Sequence, residues 1–216
     1  MAAFVVLLGY GLGMDALVRL AAHFPAIMPS TVVSFMFLAA CIGSVCSDFT
    51  ASRALATAGA LAVIAIAGAN LLLNAFGQPG GLDALIGVAA RPGDMMAPGT
   101  AYGLILAAVC VCGLAGRGLV EDLALYGAMT GLTTTLGVLF LHSFDPNSPM
   151  SVPFFRSTSV LTAVLFLLTF AAVLLELGLF GGHDAHGAGD LLEADLDNGP
   201  GGPGGPGDDG GRGAVV

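Results

Sequence analysis

The sequence predicts an all-α membrane protein of six transmembrane helices, built as three parallel helix-hairpin repeats and followed by a disordered C-terminal tail. Of the 216 residues, 56% are hydrophobic and only 10% are charged, and the mean hydropathy is +0.91. A soluble domain carries about 25% charged residues. A transmembrane β-barrel would need many short alternating segments, whereas the apolar runs here are long and unbroken. Composition, run length and an internal repeat therefore support the prediction together.

Six apolar segments follow one another, separated by breaks rich in glycine, proline and polar residues. These breaks include residues 77–81, 91–94 and 145–149, and clusters of this kind are typical of loops. A helix needs about 20 apolar residues to cross hydrocarbon. The predicted helices run from Ala3 to Leu20, Pro29 to Ser47, Ala54 to Phe76, Pro98 to Gly116, Leu123 to Phe144 and Ser157 to Phe180.

One passage occurs twice, which defines the repeat. The letters GMDALVRL at residues 13–20 return as GLDALIGV at residues 81–88, sixty-eight positions later. A third, degenerate copy is indicated by residues 139–145, which match residues 71–77, and by the Ser-Thr pair before the sixth helix. Each copy holds two helices, so all copies enter the membrane in the same direction. We place the repeats at about 1–53, 54–122 and 123–182, within a bundle of residues 1–182.

A second shared element, Met followed by Pro and Thr, opens the even-numbered helices. Proline is favoured in the first turn of a helix, and a nearby hydroxyl can satisfy free backbone N–H groups there. We therefore interpret this element as a helix-start motif. Its residues are Met28, Pro29 and Thr31 in the first copy and Met96, Pro98 and Thr100 in the second.

Ionisable residues near the outer membrane edge are the candidates for a ligand or proton site. Asp15, Arg19 and His23 recur every four residues, so a continuous helix would place them on one face, and ionisable groups within a membrane are often functional. Alternatively, each D-A-L segment is a short interfacial helix whose aspartate caps or complements a helix N-terminus. The candidate site comprises Asp15, Arg19, His23, Asp83, Arg91 and His142.

No catalytic, metal or cofactor site is predicted. The sequence contains no nucleophile–base pair, phosphate loop or carboxylate dyad, so we do not expect an enzyme. Haem ligation by His23 and His142 is disfavoured because Arg91 and Asn74 stand at the equivalent repeat positions. There is no clustered basic face for nucleic acid. The cysteines lie in apolar runs without C-x-x-C spacing, which indicates free core thiols; they are Cys41, Cys46, Cys110 and Cys112.

Charge distribution suggests the orientation and the nature of the tail. Arg53 and Arg117 follow the second and fourth helices, and positive residues favour the cytoplasmic side. Both termini are then cytoplasmic, and the D-A-L segments lie at the outer face of a bacterial inner membrane. Residues 183–216 are rich in glycine, proline and acids, a composition that cannot bury enough apolar surface to fold. We predict a disordered tail there.

The repeated pattern resembles a known family. Its elements are a Gly-Tyr-Gly helix end at residues 9–11, A-L-V-R-L at residues 16–20, and the Met-Pro-Ser-Thr passage that recurs at residues 96–101. Together, over about residues 5–180, they resemble the N-terminal multi-helix membrane region of bacterial sensor histidine kinases and diguanylate cyclases. The resemblance implies a membrane input module with its output in the cytoplasm. No kinase or cyclase domain follows, so such a bundle would act through a partner.

The sequence therefore leads us to expect a non-enzymatic sensory or accessory subunit that contacts membrane lipid and another integral membrane protein. Two alternatives remain open. One is a small-molecule transporter or channel, with Asp15, Arg19 and His142 lining the path. The other is a structural subunit of a respiratory or photosynthetic membrane complex.

Overall fold

The computed structural model describes residues 27–45, 47, 51–78, 80–85, 87, 96–116, 118–144 and 159–197, with side chains up to residue 141 and from 159 to 178. Throughout these ranges the only regular elements are helices, which confirms the all-α prediction. They are α1 (Pro29–Val45), α2 (Ser52–Ala75), α3 (Gly81–Leu85), α4 (Pro98–Ala115), α5 (Leu119–Phe144) and α6 (Val160–Asp197).

Four of the described helices are long and apolar enough to cross a membrane. The spans are Ser52–Ala75, Pro98–Ala115, Leu119–Leu141 and Val160–Gly178. A fifth, α1, is equally apolar but has 17 residues. The first predicted helix, at residues 3–20, lies outside the described residues. The chain is therefore a helical membrane protein.

The starts of α1, α4 and α6 show how the sequence sets helix boundaries. Pro29 and Pro98 are the first residues of α1 and α4, where the missing N–H of proline breaks no intrahelical bond. The start of α6 uses a hydroxyl instead, because the Thr162 N–H donates to Ser159 Oγ at 3.1 Å. Serine is a preferred N-cap residue for this reason.

The core lies where α1, α4 and α6 meet, with α2 and α5 packed against them. Phe35 of α1 and Phe166 of α6 make an edge-to-face contact at 4.9 Å between ring centroids, and Phe166 stacks on Phe170 at 6.0 Å. Leu104 of α4 belongs to the same buried cluster. Edge-to-face and offset aromatic pairs are favoured by the ring quadrupole, so these rings define how the inner helices align.

The two helical hairpins pack through matching glycine–cysteine contacts. A Cβ added at Gly59 of α2 would overlap Cys41 Sγ of α1, and one at Gly127 of α5 would lie 2.8 Å from Cys110 Sγ of α4. Both thiols are buried and free, as predicted, whereas Cys46 lies outside the described residues. Small residues at such points let helix backbones approach closely.

The chain divides into two compact units, Met1–Leu179 and Phe180–Val216. The helix α6 extends to Asp197, and the disorder that we predicted from His183 stays a prediction. Residues 183–197 contain Ala, Leu and Glu and no proline, the next proline being Pro200. Alanine, leucine and glutamate have high helix propensity, which accounts for the helix over these residues. Residues 198–216 lie outside the described residues.

Glycine at position 131 of α5 is expected to be required for core packing. A Cβ there would overlap the ring of Phe170, so Gly131→Ala should lower the free energy of unfolding by about 1–3 kcal/mol, the usual cost of overpacking. Gly137→Ala, on the same helix, is the matched control because nothing lies within 4 Å of its added Cβ. Unfolding in mixed detergent micelles, followed by circular dichroism, measures both; equal midpoints would contradict the packing described.

Candidate functional site

A buried carboxylate joins α3 to the start of α1. Asp83 is 0% exposed, and each of its oxygens accepts one hydrogen bond from Ser30. The Ser30 backbone N–H donates to Oδ1 at 2.8 Å, and the Ser30 hydroxyl donates to Oδ2 at 2.6 Å. Backbone N–H groups in the first helical turn have no intrahelical acceptor, and a negative charge there is favoured by the helix dipole. Asp83 thus caps α1, fifty-three residues away in the chain.

Asn70 of α2 holds α3 in the position that this cap requires. The Leu82 N–H donates to Asn70 Oδ1 at 3.0 Å, and Asn70 Nδ2 donates to the Ile66 carbonyl at 3.1 Å. Gly81 adopts a φ of 57°, a left-handed conformation that glycine adopts readily, and a Cβ there would overlap Asn70 Oδ1. The Gly-Leu-Asp sequence therefore lets α3 approach α2 closely enough to aim Asp83 at Ser30.

The polar groups form one buried path across three helices. Ser34 Oγ donates to the Ser30 carbonyl at 2.8 Å, and Ser30, Ser34, Asn70 and Asp83 are all buried. Buried polar groups are costly without partners, whereas these are bonded to one another or to the backbone. We call this set, Ser30, Ser34, Asn70 and Asp83, the polar junction. It links α2 through α3 to α1.

Burial dominates the electrostatics of the polar junction. Desolvation raises the pKa of Asp83 above its ordinary value, and the two hydrogen bonds from Ser30 oppose that rise. The group sits on α3, between the membrane spans. Its carboxyl therefore takes up a proton more readily in the folded protein than a solvated aspartate does.

The remaining candidate residues are placed only in part. Asp15, Arg19, His23 and Arg91 lie outside the described residues. His142 lies on α5, but its side chain is not among those described. The structure therefore shows the environment of Asp83 alone, and whether the six residues form one site stays a prediction. The short helix expected at the second D-A-L segment is confirmed as α3.

The helix-start motif packs into the core. Met28, Thr31, Met96 and Thr100 are all buried, so these side chains help fix how α1 and α4 enter the bundle. Sequence reasoning missed Asn70 and the pairing of Ser30 with Asp83. A single amide within an otherwise apolar segment was the available signal for Asn70, since such a group must find a partner.

A separate apolar cavity of about 160 Å³ lies between α4, α5 and α6. Tyr102, Gly103, Thr134 and Phe166 are among its lining residues, and Asp83 is not. In the part of the chain that the structure describes, no group of three or more His, Cys, Asp or Glu side chains is arranged to hold a metal ion. The polar junction and this apolar cavity are therefore two separate features of the described bundle.

Comparison with known proteins adds no identification: no protein family, curated protein or solved structure matches this chain. The resemblance to the membrane regions of sensor kinases and cyclases accordingly stays a prediction from the quoted residues. The function must be argued from the polar junction, the cavity and the outward helix faces.

Removing the Asp83 carboxylate should lower the stability of the fold. In Asp83→Ala, the buried Ser30 N–H and hydroxyl lose their acceptors, so we expect the free energy of unfolding to fall by about 1–3 kcal/mol. Ser30→Ala should cost less in the Asp83→Ala background than in the wild type, because the two residues share one interaction. Asp122→Ala, at an exposed carboxylate of α5, is the control and should cost less than about 1 kcal/mol. Additive losses would contradict the cap.

The raised pKa of Asp83 gives a pH dependence of defined sign. The folded protein binds this proton more tightly than the unfolded chain, so the contribution to stability is fully present below the ordinary pKa of 3.8. It is lost as the pH rises through the higher folded pKa. As the pH rises through this range, the free energy of unfolding of the wild type should therefore fall relative to that of Asp83→Asn. If the free energies of unfolding of the two proteins change in parallel with pH, the raised pKa of Asp83 is contradicted.

Proposed function

We propose that this protein is a non-enzymatic accessory or sensory subunit of a bacterial inner membrane, acting through a partner membrane protein. The proposed architecture is a six-helix bundle of three parallel hairpin repeats with both termini in the cytoplasm. The four long apolar spans support the membrane location, and the features below support the repeat and the partner.

Matching contacts support the repeat. Cys41 and Gly59 in one hairpin and Cys110 and Gly127 in the other make the same glycine–thiol approach. The two cysteines are sixty-nine positions apart and the two glycines sixty-eight, so the two pairs keep the period of the repeat to within one residue. Equivalent side chains therefore form equivalent packing contacts in the two hairpins.

The outward face of α2 is the observation that carries the proposal. In the apolar 18-residue window of Ser52–Ala75, 28% of the residues are buried within the bundle, the same share as in the Leu119–Leu141 span. Six residues along its outward side are spaced alternately four and three apart, the spacing of a seam that packs against another helix. Four of the six are small, and small residues mark helix–helix contacts in membranes. These residues, the α2 seam, are Ala54, Ala58, Leu61, Ala65, Gly68 and Leu72.

Gly68 supports the same proposal. Nothing lies within 4 Å of a Cβ added at Gly68, and Ala58 and Ala65 are exposed. The small side chains of this face therefore are not explained by crowding within the bundle itself. A closely approaching helix of a partner protein would use them.

The polar junction favours this proposal over a transporter. Asp83 is fully buried with both oxygens bonded to Ser30, and it does not line the cavity. Its oxygens are therefore out of reach of a solute in the cavity. In the proposed subunit it instead fixes α3, whose exposed Leu85 is available as part of the outer input surface that the family resemblance implies.

Gentle-detergent purification followed by mass spectrometry tests the proposal. The wild type should bring down one defined membrane protein, and Ala65→Phe should lose it, because a large ring keeps the partner helix away from the α2 seam. Thr133→Phe, at an exposed small residue of α5, should retain it. Wild-type protein that purifies alone and moves a solute across liposomes would instead support the transporter.

A further inference from the structure

We propose that the cavity between α4, α5 and α6 binds one acyl chain of a membrane phospholipid. This goes beyond partner binding, since it assigns a ligand to a part of the bundle that the α2 seam does not include. The cavity has a volume of about 160 Å³. An engineered apolar cavity of about 150 Å³ stays dry and takes up a hydrocarbon ring, so the space is sufficient for part of a chain.

Glycines and phenylalanine rings shape the cavity wall. A Cβ at Gly103 would lie 2.7 Å from Phe166 Cζ, and one at Gly131 would overlap the Phe170 ring. Both rings are buried. Because each ring lies directly against a glycine of the neighbouring helix, neither ring can move toward that helix. The volume is thus maintained by the same contacts that hold α6 to α4 and α5.

The polarity of the wall favours hydrocarbon over water. The Thr135 hydroxyl lines the cavity but donates to the Gly131 carbonyl of its own helix at 2.7 Å. Val138, Phe166 and Phe170 add apolar surface. A buried water needs two to four polar partners, and a hydroxyl already committed to its helix is a weak one. An apolar occupant fits this wall better.

The residues at the mouth of the cavity favour a phospholipid as the occupant. Tyr102 is 55% exposed and Thr134 is exposed at the lining. All three walls belong to helices that are long and apolar enough to span the membrane, so their surroundings are acyl chains. Tyr102 stands near the start of the Pro98–Ala115 span, and tyrosine favours the level of lipid headgroups. A chain entering there keeps its headgroup at the interface.

In the proposed repeat, the cavity distinguishes the third copy from the second. Sixty-eight positions before Gly131 stands Val63, which is fully buried in the core, and sixty-eight before Val138 stands Asn70 of the polar junction. The second copy thus has a valine and a hydrogen-bonded asparagine where the third copy has a glycine and a valine.

Single-tryptophan variants test this site directly, because the chain contains no tryptophan. Tyr102→Trp, the cavity reporter, places an indole at the cavity, and Tyr126→Trp, the surface reporter, places one on the exposed face of α5. The variants are compared in nanodiscs containing increasing amounts of phosphatidylcholine with brominated acyl chains. Fluorescence quenching of the cavity reporter should saturate at a several-fold lower brominated fraction than quenching of the surface reporter. Native mass spectrometry should show one retained phospholipid.

A variant that fills the mouth of the cavity distinguishes a specific lipid site from general contact with the bilayer. Combined with the cavity reporter, Thr134→Phe should abolish both the saturable quenching and the retained lipid, whereas Thr133→Phe, one residue away and outside the lining, should leave both. Two results would overturn the proposal: quenching of the cavity reporter that follows the bulk brominated fraction as the surface reporter does, or saturable quenching that survives Thr134→Phe. Stronger quenching of the cavity reporter than of the surface reporter by aqueous acrylamide would overturn it too, since it would show a water-filled cavity.

Discussion

A backbone amide in or near hydrocarbon must find an acceptor within the protein, and this requirement governs the structure. Lipid offers no hydrogen bonds, so each unsatisfied group costs several kcal/mol. Within a helix the i to i−4 ladder meets the requirement, but the first turn is left with free donors. At the start of α1 the carboxylate of Asp83 supplies the acceptor, through two bonds to Ser30. A local backbone requirement is therefore met by a long-range contact.

The other contacts of the polar junction hold that carboxylate in position. Asp83 reaches Ser30 only because Asn70 accepts the Leu82 N–H and because Gly81 lets α3 lie against α2. Glycine at this turn is thus as necessary as the aspartate. The result ties the end of the α2 hairpin to the beginning of the helix before it. The α2 seam and the apolar cavity, which we propose as binding surfaces for a partner helix and for lipid, do not include the residues of this junction.

The hydropathy pattern and the glycine- and proline-rich breaks predicted much of this arrangement. The starts of α1 and α4 at Pro29 and Pro98 followed from proline chemistry, and the short α3 helix followed from the repeated D-A-L passage. The pairing of Asp83 with Ser30 could not be predicted, because it depends on how two hairpins pack rather than on local spacing. The extension of α6 to Asp197 could not be predicted from the average composition of the tail, which concealed the helix formers between residues 183 and 197.

The candidate site stays largely a prediction, since most of its charged members lie outside the described residues. For Asp83, the two interpretations drawn from sequence differed in a single respect, namely whether the carboxylate faces a cavity or a helix start. The hydrogen bonds show that Asp83 caps the start of α1, a helix other than its own, and a ligand or proton role for the six candidate residues stays a prediction. A carboxylate that satisfies a helix terminus is fixed by its partners, and this explains why the polar junction is buried while the surfaces we propose for partner and lipid lie elsewhere on the bundle.

The most direct test is amide hydrogen exchange at Ser30 in the detergent-solubilised full chain, since this N–H has no acceptor within α1. If Asp83 caps α1, the Ser30 amide exchanges slowly in the wild type and rapidly in Asp83→Ala, while amides in the middle of α4 remain protected in both. Rapid exchange at Ser30 in the wild type, or equal protection in the two proteins, would contradict the cap on which this description of the fold depends.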